Sequence, residues 1–184
     1  MDFIFQLDRL VFDFIYHTFP HNFVLDSFFS FLSGIGTWGI VWVFLLIILI
    51  AIDEVDDKKD LLTVVVSLVI TLLFVDILLK DVFRRPRPDI PLLPPLLFFG
   101  RVSTYSFPSS HAALAFAGAY VLSRKHKKGK IYYYVLASFI AFSRIYLGRH
   151  FPSDVIGGAL AGVVIGHLAV EIVNRLPNLG KGKK

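Results

Sequence analysis

Residues 37–52 read TWGIVWVFLLIILIAI, a stretch without a single charged side chain. Together with the turn before it, the stretch approaches the ~20 apolar residues that a helix needs to cross a bilayer. Trp38 and Trp42 are residues typical of a membrane interface. The stretch therefore predicts a membrane-spanning helix with both tryptophans near one membrane surface.

The same pattern recurs along the chain, which is 55% hydrophobic, against ~45–50% in an ordinary soluble domain. Four more spanning helices are predicted at residues 61–79, 108–123, 131–148 and 152–174. The charged segments DEVDDKKD (53–60) and RKHKKGK (124–130) separate some of these spans. The sequence therefore predicts an all-α, polytopic membrane helix bundle that forms a single domain over residues 1–184.

The N-terminal part is less uniformly apolar. Residues 3–19 are interrupted by Asp8, Arg9 and Asp13, which favours a helix lying in the membrane interface. A sixth spanning helix is the alternative. Residues 23–33 predict a second short helix, which Asp26 keeps from deep burial. We therefore assign residues 1–36 to interfacial helices, 37–174 to the bundle and 175–184 to a basic tail. No cleavable signal peptide is expected, because the first residues are acidic.

The charge pattern predicts the orientation. Eleven Lys and Arg residues fall on the side of segments 53–60 and 124–130 and the C-terminal tail, which puts that side in the cytoplasm. Segments 81–107 and 149–153 then face outward. The net charge of +5 lies mainly at the ends of apolar runs, which favours membrane topology over nucleic-acid binding. The apolar, proline-rich part of 81–107 is expected to dip into the lipid headgroups.

Three polar stretches meet on the predicted outer face, and each contributes groups suited to phosphate. They are KDVFRRPRP (80–88), FPSSHAAL (107–114) and SRIYLGRHFPSD (143–154). Lys80, Arg87 and Arg144 offer three cations, and arginine binds phosphate oxygens in a bidentate fork. Asp76 is expected to pair with Lys80 four residues later.

The second and third stretches carry the candidate reactive groups. Pro108 suits the first turn of a helix, whose free N–H groups at Ser109, Ser110 and His111 would bind an anion. His111 is suited to general acid work. His150 is predicted to be a nucleophile, with Asp154 holding one imidazole N–H and freeing the other nitrogen.

Small residues favour close packing of the spans that carry these histidines. Gly158, Gly162 and Gly166 repeat every four residues in the last span, and the span at 108–123 is rich in alanine. Such faces let helices approach closely, which would bring His111 and His150 together. Residues expected to shape a substrate entrance are Arg84, Arg101, Tyr105 and Phe107.

These stretches are similar to the tripartite signature of the type 2 phosphatidic acid phosphatase superfamily. The signature reads K-x6-RP, PSGH and SR-x5-H-x3-D, and the chain has Lys80-x6-Arg87-Pro88, Pro108-Ser109-Ser110-His111 and Ser143-Arg144-x5-His150-x3-Asp154. Ser110 stands where the family usually has glycine; it keeps the backbone N–H but adds a hydroxyl. The match covers residues 80–154.

The resemblance implies an all-helical membrane fold, a phosphohistidine intermediate on His150 and no cofactor or metal. The expected activity is removal of phosphate from a lipid phosphate or diphosphate. Lipid A 1-phosphate is the favoured substrate, with undecaprenyl diphosphate and phosphatidylglycerophosphate as alternatives. The expected location is the bacterial inner membrane, and the expected partners are the lipid phosphate substrate and membrane lipids, without nucleic acid.

Other functions stay open at this point. A lipid phosphotransferase would use the same histidine chemistry. A non-catalytic transporter would not need His111, His150 and Asp154 together. A vanadate-dependent haloperoxidase resembles the same site, but five spans argue against that soluble enzyme. The sequence leaves the oligomeric state undetermined.

Overall fold

The computed structural model describes residues 2–52, 58–89 and 105–177. These ranges are helical and contain no strand, which confirms the predicted all-α class for this part of the chain. The helices are α1 Asp2–Thr18, α2 Phe23–Gly36, α3 Ile40–Ala51, α4 Lys58–Thr71, α5 Lys80–Phe83, α6 Ser110–Lys125, α7 Lys130–Tyr146 and α8 Pro152–Arg175. A π-helical segment, Leu72–Leu79, joins α4 to α5.

Three segments of the described chain are long and apolar enough to cross a membrane. They are Phe23–Ala51, Lys59–Phe83 and Pro152–Arg175. Helices α6 and α7 have 16 and 17 residues, which is short for a bilayer core of ~30 Å at 1.5 Å per residue. The protein is a membrane protein, and the count of five spans stays a prediction.

The first candidate span differs from the prediction because it includes residues assigned to the interface. Helix α2 runs through a tight turn at Thr37–Gly39 into α3, and Trp38 and Gly39 there have φ angles of 55° and 70°. Gly39 tolerates this conformation because it has no Cβ. Asp26 in α2 is accommodated by the Tyr146 hydroxyl, which donates to its carboxylate at 2.6 Å.

Helix α1 has two contrasting faces. Phe3, Leu10 and Phe14 are exposed, whereas Asp8 and Phe12 are buried against the rest of the protein. An exposed apolar face suits a helix that lies on a membrane surface. The segment is not one of the three candidate spans, and its interfacial position stays a prediction.

The predicted packing of the two glycine- and alanine-rich helices is confirmed. A Cβ added at Gly158 would lie 2.3 Å from the Ser109 carbonyl oxygen, and one at Gly162 would lie 2.1 Å from that of Ala113. Only glycine therefore permits α8 to approach α6 this closely. The contact brings the first turns of both helices to the same end of the bundle.

Trp42 is packed inside the protein, whereas the sequence predicts a side chain exposed at a membrane interface. Its side chain is fully buried, and its ring fills the space beside Gly118, where an added Cβ would lie 2.2 Å away. The missing side chain of Gly118 forms the hole that the indole occupies. Trp38 is 55% exposed, so only this tryptophan has the exposure of an interface residue.

Candidate active site

The loop between α7 and α8 places His150 directly over Arg144. Gly148 adopts a left-handed conformation, with φ of 66°, as glycine commonly does just after a helix. The N–H groups of Arg149 and His150 then donate to the Arg144 carbonyl at 2.9 and 3.2 Å. His150 and Arg144 are buried, with 2% and 4% exposure. These two hydrogen bonds hold the backbone of His150 close to the Arg144 carbonyl at the end of α7.

Arg87 contacts the imidazole of His150 and fixes its tautomer. The Nη1 of Arg87 lies 3.2 Å from His150 Nε2 and also donates to the Arg149 carbonyl at 2.6 Å. A guanidinium can only donate hydrogen bonds, so Nε2 must be the acceptor and carry a lone pair. The proton of the neutral ring is therefore on Nδ1, and Nε2 points into the group of cations.

Asp154 lies on the opposite side of that ring. Its Oδ2 is 3.6 Å from His150 Nδ1, beyond a normal hydrogen bond, and accepts the Phe151 N–H at 2.8 Å. The carboxylate thus caps α8, which begins at Pro152. Catalytic hydrogen bonds are often long without substrate and tighten when it binds. The predicted arrangement of Asp154 behind His150 is present, with a longer contact than expected.

Burial and surrounding charge act on His150 in the same direction. Burial, and then the positive charges of Arg87, Arg144 and Lys80, lower the pKa of His150 well below its ordinary value of 6.5. A base with a lowered pKa stays neutral as the pH falls through 6.5, and loses its lone pair only in more acid solution. The imidazole is therefore available as a nucleophile at neutral pH.

We expect the His150 ring to titrate below pH 6.5 in nitrogen-15 NMR spectra of the histidine-labelled protein in detergent. Replacing Arg87 with Gln removes one of the cations, so the titration should move to higher pH. The matched control is Arg175→Gln at the far end of α8, which should leave it unchanged. The His150 signal is assigned by its loss in His150→Gln. Titration at or above 6.5 in the wild type would contradict this account.

Lys80 and Ser110 share one carboxylate oxygen, Asp76 Oδ1. Lys80 Nζ and the Ser110 hydroxyl each lie 2.5 Å from it, which confirms the predicted Asp76–Lys80 pair. Asp76 lies in the π-helical segment, a geometry that is frequent at functional sites. The Ser110 hydroxyl therefore donates a hydrogen bond to Asp76 that a glycine at this position could not make.

Replacing Ser110 with Gly is expected to leave kcat/KM for phosphate release within about threefold, because the hydroxyl is held by Asp76 and the N–H remains. Stability should fall by about 1.5–3 kcal/mol with the loss of a hydrogen bond to a charged group. Ser110→Ala separates that bond from the backbone effect of glycine. Thermal unfolding and enzyme kinetics measure both quantities. A tenfold fall in kcat/KM in both variants would instead indicate that the hydroxyl contacts phosphate.

The start of α6 differs from the prediction in two respects. Pro108 precedes the helix, which begins at Ser110 after an N-cap at Ser109. The Ser109 N–H is not free, because it donates to the Asp154 carbonyl at 2.9 Å. The N–H groups of Ser110 and His111 still belong to the first helical turn, which lacks intrahelical acceptors. The predicted anion site therefore retains two of its three N–H groups.

Helix α2 and the turn after it supply supporting side chains that the sequence does not predict. Thr37 Oγ1 lies 3.3 Å from His111 Nε2 and donates to the Ser33 carbonyl. The Ser33 hydroxyl in turn accepts from Arg144 Nη1. Polar residues four apart in an apolar helix are a signal that could have indicated this role.

The charges of the three stretches act on one another. The groups whose charges act on His111 are Arg144, His150, Lys80 and Arg87. Lys80 is likewise within electrostatic reach of Arg87 and Arg144. The structure thus brings together all the predicted cations and both histidines.

Two residues outside the predicted set, the acidic Asp8 and the basic Arg85, also belong to the site. The Arg85 Nη1 donates to Asp154 Oδ1 at 2.7 Å, and its Nη2 to Asp8 Oδ2 at 2.6 Å. From the sequence, Asp8 is only an interruption of an apolar helix, and Arg85 has no predicted part in the site. The clue was Asp8 itself, a carboxylate in an otherwise apolar segment.

The predicted entrance residues have mixed positions. Arg84 is exposed, and its Nε donates to the Asp81 carbonyl at 2.9 Å. The Phe107 ring packs edge-on against Phe83 at 4.8 Å. Tyr105 is half-buried, and Arg101 lies outside the described residues.

A cavity of about 500 Å³ opens beside the cations, between α1 and residues 83–89. Arg84 and Arg87 both line it, together with the aromatic rings of Phe5, Phe83 and Phe151. A wall of this kind combines apolar surface with positive charge. Among the described residues, no group of three or more His, Asp or Glu side chains could hold a metal ion.

The fold and the site define a helical membrane protein with a buried histidine inside a cluster of cations. Residues 60–177 match the PAP2 superfamily, which is more than half of the chain. The chain belongs to this superfamily. It is a membrane lipid phosphatase, a hydrolase of phosphate esters.

Two relatives and one solved structure illustrate the range of its similarities. An undecaprenyl-diphosphatase from Sulfolobus acidocaldarius is 32% identical over 154 residues, covering 83% of this chain and 73% of the relative. A lipid A 4'-phosphatase from Porphyromonas gingivalis is 29% identical over 160 residues, covering 81% and 66%. The crystal structure of Aquifex aeolicus LpxE has a TM-score of 0.66 and 33% identity, covering 91% of this chain and 94% of that one.

Proposed function

We propose that the protein removes a phosphate from a lipid phosphate or diphosphate through a phosphohistidine on His150, with lipid A 1-phosphate as its main substrate. The similarity to a lipid A 1-phosphatase from Porphyromonas gingivalis, 38% identical over 97 residues and covering 50% of this chain and 19% of the relative, supports this choice. The lipid A 4'-phosphatase supports a lipid A phosphate in general. Undecaprenyl diphosphate is the first alternative, which the similarity to an undecaprenyl-diphosphatase favours. Phosphatidylglycerophosphate is a third candidate.

One observation carries the proposal. Ser109 Oγ and Arg144 Nε are buried and have no hydrogen-bond partner among the described residues. A buried polar group without a partner costs free energy, so these atoms favour a ligand with several acceptor oxygens. They belong to two of the three stretches that surround His150. A phosphoryl group bound there would supply the missing acceptors.

The first chemical step forms a nitrogen–phosphorus bond. The lone pair of His150 Nε2 attacks phosphorus as the bond to the lipid oxygen breaks. Lys80, Arg87 and Arg144 stabilise the charge on the three other oxygens, with the first-turn N–H groups of α6. His111 gives its proton to the departing oxygen, which leaves as an alcohol or, from a diphosphate, as a lipid monophosphate.

The second step returns the enzyme to its starting state. His111, now neutral, takes a proton from water, whose oxygen attacks phosphorus. The bond to Nε2 breaks and inorganic phosphate leaves. Thr37 Oγ1 gives its only hydrogen to Ser33, so it accepts from His111 Nε2–H. Nδ1 is therefore the His111 atom that would exchange protons with the leaving group and with water.

The surroundings of the site support a lipid substrate. The cavity next to Arg87 has aromatic and cationic walls, and the exposed apolar side chains of α1 and α3 favour a bilayer environment. The charge distribution supports an outward-facing site, a cytoplasmic C-terminus and a location in the bacterial inner membrane.

A panel of lipid phosphates tests this function. The detergent-purified protein is incubated with lipid A 1-phosphate, lipid A 4'-phosphate, undecaprenyl diphosphate and phosphatidylglycerophosphate, and released phosphate is measured. We expect the highest kcat/KM with lipid A 1-phosphate. Faster hydrolysis of another panel lipid would replace it as the substrate, and no release from any of them would overturn the proposal.

A phosphotransferase would use the same histidine, and a second measurement separates it from a phosphatase. Phosphorus-32 is placed on the transferred group, and an unphosphorylated lipid acceptor is added. We expect the label in inorganic phosphate. Label in the acceptor lipid would favour transfer.

A further inference from the structure

A buried chain of charges links the N-terminal helix to the nucleophile. Asp8 of α1 accepts from Arg85, which donates to Asp154, the carboxylate behind His150; the two contacts are 2.6 and 2.7 Å. We propose that Asp8 and Arg85 are positioning residues that hold the Asp154 carboxylate in line with His150. This inference rests on the proposed role of His150 as nucleophile.

The surroundings of Arg85 allow its guanidinium little freedom. Its Cζ lies 4.3 Å from the ring centroid of Phe151 and 5.1 Å from that of Phe5. Besides the two carboxylates, Nη1 donates to Ser153 Oγ at 2.6 Å. The fork of an arginine can bind two carboxylates at fixed angles, which one lysine ammonium cannot reproduce. Arg85 is therefore a rigid link between Asp8 and Asp154.

Both oxygens of Asp154 are held as a result. Oδ1 accepts from Arg85, and Oδ2 accepts from the Phe151 N–H at 2.8 Å. These bonds set the plane of the carboxylate and leave Oδ2 facing His150 Nδ1. Without Arg85, the carboxylate would lose its charged hydrogen-bond donor and keep the neutral donors Phe151 N–H and Ser106, so it would be held less firmly. The imidazole would then lose its fixed orientation.

Asp8 also holds the start of α8. Its Oδ1 accepts the Ser153 N–H at 2.9 Å, and its Oδ2 accepts the Ser153 hydroxyl at 2.6 Å. Asp8 is 7% exposed and Asp154 is fully buried. A buried ion pair is weak evidence for stability, because desolvation offsets its attraction. The geometry instead points to a role in setting the position of the α8 N-terminus and its carboxylate.

Single substitutions test the link through the split between kcat and KM. The substrate is the panel lipid that the wild-type protein hydrolyses fastest. We expect Asp8→Asn to lower kcat about tenfold and Arg85→Gln about 100-fold, the range seen when residues that orient reacting groups are lost. KM should stay within about twofold, because neither side chain contacts the phosphate in this account.

The double variant tests whether the residues act in series. Asp8→Asn combined with Arg85→Gln should be no more than about threefold slower than Arg85→Gln alone. The Asn amide oxygen can still accept the Ser153 N–H, so Asp8→Asn removes chiefly the contact to Arg85. Arg85→Lys should recover little activity, since it restores the charge without the fork. If the kcat losses of the two single variants multiply in the double variant, or if Asp8→Asn keeps wild-type kcat, the inference is overturned.

A matched control separates positioning from general destabilisation. Asp60 is also a buried carboxylate in an ion pair, with Lys125 at 2.9 Å, but it lies at the opposite end of the Lys59–Phe83 segment from Lys80. Asp60→Asn should keep wild-type kcat. An equal loss in Asp60→Asn and Asp8→Asn would contradict positioning. If the wild type releases no phosphate, or His150→Gln is fully active, the proposed function has failed rather than this link.

Discussion

Replacing His150 with Gln should abolish phosphate release, with kcat lower by a factor of about 10⁴ or more, the scale of loss when a covalent nucleophile is removed. Glutamine is of similar size but offers no basic nitrogen lone pair to phosphorus. His150 Nε2 faces Arg87 at 3.2 Å, and the other cations of the site are close enough to act on its charge.

The measurement is phosphate release from the panel lipids, together with chemical trapping of the intermediate. Wild-type protein quenched during turnover with phosphorus-32 substrate should carry acid-labile, base-stable label, and His150→Gln should carry none. His126→Gln is the control, because His126 bonds Tyr133 at the other end of the bundle. Retained turnover in His150→Gln would mean that another residue attacks phosphorus.

The cation and histidine cluster could be predicted because it depends on helix ends. Once Lys80, His111 and His150 are assigned to the ends of successive helices, topology alone brings them to one face. The approach of α6 and α8 was predictable for a similar reason, since Gly158 and Gly162 leave room for a neighbouring backbone. The described residues confirm both expectations.

The supporting contacts could not be predicted, because they depend on how helices pack in three dimensions. Ser33 reaches Arg144 from a helix that sequence patterning assigned to the interface, and Thr37 reaches His111 from the turn that follows this helix. Asp8 reaches Ser153 across 145 residues. The periodicity of one segment says nothing about such distant partners. Polar residues inside apolar segments were the only available signal, and it does not name the partner.

Trp42 shows the same limit for the apolar side chains. A tryptophan near the start of a predicted span is typical of a membrane interface, yet this one is fully buried. Its position depends on Gly118, 76 residues later, whose missing side chain accommodates the ring. A rule based on one segment cannot detect a hole formed by another.

His111 is expected to have a second large effect, and its size should depend on the leaving group. With a lipid substrate, His111→Asn should lower kcat by about 10²–10⁴, the usual contribution of general acid–base catalysis. A nitrophenyl phosphate needs little protonation as its oxygen leaves, so formation of the phosphohistidine should remain fast. Hydrolysis of the phosphohistidine should still be slow, because His111 is no longer present as the general base that takes a proton from water.

The predicted result is therefore a burst of nitrophenol equal to the enzyme concentration, followed by slow turnover, with labelled phosphohistidine accumulating during the slow phase. Thr37→Val is the companion variant, because it removes only the hydroxyl 3.3 Å from His111 Nε2. We expect Thr37→Val to lower kcat about tenfold, as for other residues that orient a reacting group. If His111 only supported the fold, its replacement would slow both substrates equally and give no burst. The loss of rate in His111→Asn with the lipid substrate, divided by the loss in phosphohistidine formation with nitrophenyl phosphate, therefore separates acid–base catalysis by His111 from a purely structural role.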